Sequence, residues 1–282
     1  MRGRIGSAAK RFIDRLIEKE IKYFGVRDAT KVSECSDEAT IQLLNRLVQA
    51  GWVVKLNRGR YAVLPEDGSG LNKLAVGREL VRGADYYFAY ASAMDVWGMP
   101  GEGQTGSPSR VTIAMKDVRW RPRRTVLGTE YQFVKHLELP PRRLTRAGRN
   151  RQRPQDWMVR DVEVAPGEWV RVSDLEWTIV SGLGRPDLCG GVEAIAGWME
   201  MHRKDLSIER LMMYARVVSN RTAARRLGYL LEALGMQTED SALSLSFSVF
   251  SSYGRLEPGR PAAGDLCRKW RLDVNAEIGK RI

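Results

Sequence analysis

Around residue 50 the hydrophobic rhythm of the chain changes period within a few positions. Ile41, Leu44, Leu47 and Val48 fall at helical spacing on one stripe, so the stretch to Ala50 reads as an amphipathic helix. Past Gly51 the rhythm shortens to two. Trp52, Val54 and Leu56 alternate with Val53, Lys55 and Asn57, and Tyr61 and Val63 resume the alternation. Gly59 supplies the permissive turn residue, which predicts a β-hairpin with Arg58 and Arg60 flanking its tip. A helix running into a hairpin with a cationic tip is the recognition-helix-and-wing half of a winged helix-turn-helix. Such a helix enters the major groove while the wing reaches phosphates beside it.

The upstream pattern agrees. Phe12, Ile13, Leu16, Ile17, Ile21 and Phe24 predict a first helix from Ser7 to Phe24, with Gly25 stopping it. A short second helix is expected around Ala29–Val32. Ser36 caps the third, with Asp37 and Glu38 in its positive first turn. Those carboxylates lie where many recognition helices meet DNA, so contact is expected further along, from Gln42, Asn45, Arg46 and Gln49. Asn and Gln suit adenine edges; Arg suits guanine edges or phosphate. A solvated polar face is the plain alternative, and the adjoining cationic wing favours DNA. Should direct readout lie elsewhere, Arg2 and Arg4 on the N-terminal arm are the next candidates.

Pro65–Gly70 reads as a linker, which divides the chain into a DNA-binding domain at 1–65, a linker at 66–70 and a larger domain at 71–282. In the larger part Leu71–Val81 reads as helix, Tyr86–Ala89 as extended, and Ser92–Trp97 as helix behind a serine cap. After a Gly/Ser/Pro loop over Gly98–Ser109 come short β candidates at Val111–Met115, Tyr131–Val134, Val159–Val164 and Trp169–Val172. Helices are expected at Asp174–Leu183, Gly191–Arg203, Ser207–Val218 and Arg221–Leu234, and a further strand at Leu243–Val249. The fold class is therefore α+β: an N-terminal winged helix-turn-helix followed by a mixed α/β domain. Trp97, Trp177 and Trp198 lie among apolar residues on these helices and are expected in the core.

Composition sharpens the partner and narrows the chemistry. The 282 residues suit about two domains and carry a formal charge of +12, which favours a polyanionic partner. Residues 1–65 hold 13 basic against 7 acidic side chains, and the remainder 33 against 27, so the first part is far more basic per residue. Arg119–Arg160 is a second basic stretch, with 12 basic against 3 acidic residues. It carries no aromatic stacking rhythm, and two solvated loops are its plain reading. Three scattered cysteines and two isolated histidines indicate neither a disulfide framework nor a zinc cluster. The one Glu-x-Lys, Glu20-Ile21-Lys22, falls inside the first predicted helix. Asp161 and Glu163 share a strand face without the lysine a nuclease needs, and Gly101–Gly106 lacks the lysine of a phosphate loop. No enzyme, no metal and no cofactor are expected, and neither is a membrane span; the expected location is the cytoplasm.

Several stretches occur together in a set order: RLVQAGWVVKLNRGRYAVLP, AYASAMDVWGM, DLEWTIVSGLGRPDLCGG, RRLGYLLEALG and the terminal RLEPGRPAAG…RKWRLDVN. In order and spacing they resemble the AbiEi family of antitoxin transcriptional regulators over nearly the whole chain. The resemblance implies a DNA-binding antitoxin of a type IV toxin-antitoxin system. Such a protein represses its own operon through the N-terminal domain and counteracts a nucleotidyltransferase-like toxin through the C-terminal domain. Its partners would be double-stranded DNA at its own promoter and the cognate toxin, with direct contact to the toxin left open. Arg142, Arg143, Arg146 and Arg149 are the first candidates for a surface facing that toxin or a nucleic acid. The alternatives are a winged-helix regulator with a ligand-sensing C-terminal domain and, behind it, a DNA-targeted nuclease.

Overall fold

The structure, a computed structural model, describes residues 2–65, 70–98, 109–116, 118, 123–135, 158–218, 220–236, 252–262 and 264–279. The chain is mixed α+β and divides into two compact units, Met1–Gly83 with Val164–Glu168, and Ala84–Glu163 with Trp169–Ile282.

The first unit begins with α1 (Ser7–Glu18), β1 (Tyr23–Gly25), α2 (Val26–Ser33) and α3 (Asp37–Gln49), followed by β2 (Val53–Asn57), β3 (Arg60–Val63) and α4 (Lys73–Leu80). The sheet order β1-β3-β2, antiparallel throughout, is that of a winged helix-turn-helix. Its core joins Phe12, Ile13 and Leu16 of α1 to Phe24, Ala29 and Val32, to Leu44 and Leu47 of α3, and to Val53 and Tyr61 of the hairpin. Phe24 ties the layers together: Phe12 meets it edge-on at 6.1 Å and Tyr61 stacks on it at 6.0 Å.

Three local readings are corrected here. The helix predicted to Phe24 stops at Glu18. Glu20 takes a left-handed φ of 54°, and the amides of Glu20 and Ile21 return to the carbonyls of Ile17 and Leu16, which ends the helix without glycine. Tyr23–Gly25 is thereby freed to form the edge strand, and Ile17 faces solvent at 51% exposure. The hairpin alternation is also broken: Val53 and Leu56 both point inward, because the register slips between Lys55 and Asn57. Finally, α4 belongs with the first unit, although the sequence placed the boundary at 66–70. Its cap residue Asn72 donates to the carbonyl of Val164, and Glu79 pairs with Arg60 of β3.

The second unit is built on a six-stranded mixed sheet of order β6-β7-β5-β4-β9-β8. Its strands are β4 (Tyr86–Phe88), β5 (Arg110–Met115), β6 (Arg123–Val126), β7 (Thr129–Lys135), β8 (Val159–Ala165) and β9 (Glu168–Ser173). β4 runs parallel to β9 and β5 parallel to β7. Helix α5 (Ala91–Val96) starts not from a serine cap but from Tyr90 at φ 58°, and the Ser92 hydroxyl instead accepts the Thr112 amide across to β5. Then follow α6 (Leu175–Gly184), α7 (Val192–Met201), α8 (Ile208–Val217) and α9 (Arg221–Ala233). α6 is buried on every face from Glu176 to Leu183, which marks it as the central helix of this unit. The strand expected at Leu243–Val249 lies outside the described residues. β10 (Gly254–Arg255), β11 (Asp265–Cys267) and β12 (Leu272–Val274) make a small sheet of order β10-β12-β11.

Trp177 and Trp198 are buried and Trp97 is half-buried. Among the described residues no helix is long and apolar enough to cross a membrane.

Candidate nucleic-acid interface

The geometry of α3 follows from its two ends. Ser36 accepts the Ala39 amide and starts the helix, as its sequence position predicts. Asp37 is held by the Thr30 hydroxyl at 2.9 Å, so one of the two carboxylates at the helix start is occupied by α2. At the far end the Gly51 and Trp52 amides close on the carbonyls of Val48 and Leu47 and turn the chain directly into β2.

Between these ends Leu44 and Leu47 anchor the inner face, with Thr40 beside them bonded to the Ser33 hydroxyl. Gln42, Asn45, Arg46 and Gln49 all emerge on the exposed face. Among the described residues none of the four is engaged by a hydrogen bond or ion pair. They follow i, i+3, i+4, i+7 spacing and form one continuous stripe. Ile41, expected with the inner stripe, lies on the outer side at 43% exposure. It precedes Leu44 by three positions and Val48 by seven, but the core side of this turn is already filled by Thr40 and Leu44.

The hairpin tip separates its two arginines. Asn57 accepts the Arg58 amide at 2.8 Å, and Gly59 takes φ 69°, a left-handed conformation that favours glycine. Arg58 is thereby presented outward, exposed, with no partner for its guanidinium among the described residues. Arg60 was expected to flank the tip in the same way and does not. It opens β3, and its side chain is 12% exposed. Its Nε donates to Glu79 Oε2 at 2.7 Å, and Nη1 stands 3.8 Å from Asp28. Asp28 in turn accepts the Gly25 amide at the start of α2. Arg60 thus connects the wing, α4 and the helix-turn-helix, and its guanidinium is turned to Glu79 and Asp28 where that of Arg58 is exposed.

The N-terminal arm divides similarly. Arg2 donates to the carbonyls of Leu64 and Pro65 and stacks over Trp52 at 4.4 Å. The Trp52 indole N–H donates to the Gly3 carbonyl. The arm is therefore fixed against the base of the wing, and only Arg4 of the candidate pair is exposed.

Sequence reasoning missed Glu79, Asp28 and Glu168, which organise this unit without touching the outer face. Lys22 pairs with Glu168 at 2.7 Å, and burial, followed by the Glu168 charge, pushes the neighbouring Tyr23 hydroxyl well above the usual tyrosine range.

In the second unit the stretches that carry the family resemblance serve the architecture. Asp174 caps α6 through the Trp177 amide and accepts from Tyr214 at 2.8 Å and from Arg210. Arg225 and Arg226 of α9 are buried; Arg225 donates to the carbonyls of Ser252 and Arg271, and Arg226 to those of Leu183 and Arg255. Burial lowers the Arg226 pKa to about 10, so the cation persists at neutral pH. Gly228 leaves the space into which the Trp270 ring fits, and a Cβ there would lie 2.1 Å from a ring carbon. Arg142, Arg143, Arg146 and Arg149 lie outside the described residues, as do the Gly101–Gly106 loop and His136. Asp161 and Glu163 are exposed on β8. Among the described residues no group of three His, Cys, Asp or Glu side chains is placed to hold a metal ion.

Together these features define a two-unit α+β chain with a winged helix-turn-helix at its N-terminal end. No family model and no curated protein matches the sequence. Among solved structures, the crystal structure of the RV2827C protein from Mycobacterium tuberculosis is similar, with a TM-score of 0.65 and 18% identity. The match covers 96% of this chain and 92% of that one, so the likeness extends to both units and concerns the fold alone.

Proposed function

We propose that this protein is a DNA-binding antitoxin that represses its own toxin-antitoxin operon and counteracts a nucleotidyltransferase-like toxin. The observation that carries the DNA half is the outer face of α3. Gln42, Asn45, Arg46 and Gln49 stand there with no side-chain partner among the described residues, beside a wing that presents Arg58 outward. Neutral amides at that spacing suit base edges, and the arginines supply the cationic flank that positions a duplex. The high positive charge of the chain supports the same partner.

The toxin half rests on the AbiEi-like stretches of the second unit. In this reading the second unit antagonises the toxin, and the basic segment with Arg142, Arg143, Arg146 and Arg149 faces it or its nucleic-acid substrate. Replacing those four arginines by Glu in the full chain is expected to impair rescue of cells from the cognate toxin while leaving the circular dichroism spectrum unchanged. Full rescue by a folded variant would remove that surface from the account.

A further inference from the structure

Ile41 continues the apolar stripe of α3 in sequence, but with the inner face filled by Thr40 and Leu44 it stands on the outer side. This isoleucine is 43% exposed in the second turn of α3, and recognition helices of this class contact base edges through their N-terminal part. Its helical neighbours on the outer side are Glu38 three positions before, Gln42 one after and Asn45 four after, all exposed and polar. An apolar side chain set within a row of base-edge readers has one natural counterpart in a major groove. That counterpart is the 5-methyl group of thymine, the sole apolar feature on any base edge there.

We propose that Ile41 is a specificity-determining residue that reads a thymine methyl group, next to the base recognised by Asn45. This inference rests on the DNA-binding reading above and adds the chemical identity of one operator position. The outer face complements a duplex in charge as well, since Arg46 of α3 and Arg58 of the wing flank the row with no partner among the described residues. Ile41→Ala removes apolar contact without opening the core, because Thr40, Leu44 and Leu47 fill the inner face.

The test uses the full-length protein and duplexes it enriches from a random library. Each thymine of the enriched site is replaced singly by deoxyuridine, which deletes only the methyl group. At one position the wild type should lose about fourfold in affinity, the worth of one buried methyl-sized group. Ile41→Ala should be indifferent to the same replacement, and Ile41→Val should retain most of the distinction. If no thymine position distinguishes wild type from Ile41→Ala while both bind the enriched duplex selectively, the thymine assignment is overturned and the DNA reading stands. If the wild type enriches no sequence at all, the DNA reading falls and the assignment falls with it.

Discussion

Salt dependence separates the two wing arginines. Each phosphate neutralised by a protein cation contributes about 0.9 to the slope of log affinity against log salt. Arg58 is exposed with no partner for its guanidinium among the described residues, whereas Arg60 is 12% exposed and bound to Glu79, itself 7% exposed. Arg58→Ala should therefore flatten the slope by about one unit. Between 50 and 200 mM salt the wild type would lose about 3.5-fold more affinity than that variant. Arg60→Ala should leave the slope of the folded protein unchanged and act on stability instead. Breaking a buried ion pair costs about 3–5 kcal/mol. Arg78 still meets Glu79 at 3.1 Å, which places this loss at about the lower end of that range. For a unit of this size that loss lowers the melting temperature on the order of 10 °C. Fluorescence anisotropy of a labelled duplex across a salt series gives the slope, and circular dichroism melting gives the stability. An Arg60→Ala variant that melts like the wild type and flattens the slope would refute the division of roles.

Two further outcomes probe the second unit. Gly228→Ala should destabilise the chain by about 1–3 kcal/mol or more in thermal or urea unfolding, because its methyl group would collide with the ring of Trp270 and both residues are buried; an unchanged midpoint would contradict that packing. Lys269, with help from the Trp270 N–H, holds the Glu232 carboxyl below the usual glutamate range. Its folded pKa lies below the unfolded one, so the stabilisation is present above the ordinary glutamate pKa and disappears as pH falls through the lowered value. Melting temperatures of wild type and Glu232→Gln should accordingly differ at neutral pH and converge on acidification, and a gap that persists into acid would contradict the assignment.

The parts of this fold that were legible in the sequence are those governed by local rules. Ser36, Asp174 and Ser207 each announced a helix start and each caps one. The outward placement of Gln42, Asn45, Arg46 and Gln49 followed from period alone. Tertiary competition decided what was not legible. Ile41 satisfied the helical stripe, yet the core at that turn was already filled by Thr40. Arg58 and Arg60 look equivalent around Gly59 until Glu79, nineteen residues after Arg60, claims one of them. Ile21 and Phe24 continued an apolar pattern through a chain reversal at Glu20, whose left-handed backbone no turn residue advertised. Likewise the RRLG stretch gave no hint that two arginines would be buried on carbonyls and that the glycine would make room for Trp270.

The central claim is that the outer face of α3 distinguishes one DNA sequence from others. Its most direct measurement is the ratio of affinities for the protein's own promoter duplex and a random duplex, at one fixed salt concentration. The ratio is taken for the wild type and for a variant with Gln42, Asn45, Arg46 and Gln49 all replaced by Ala. These side chains lie on the exposed face, outside the core of the unit, so the variant should fold and melt like the wild type. Each lost base contact removes about 1–3 kcal/mol of discrimination, so the ratio should collapse towards one while affinity for random DNA falls far less. A variant that keeps the wild-type ratio would show that sequence is read somewhere other than α3.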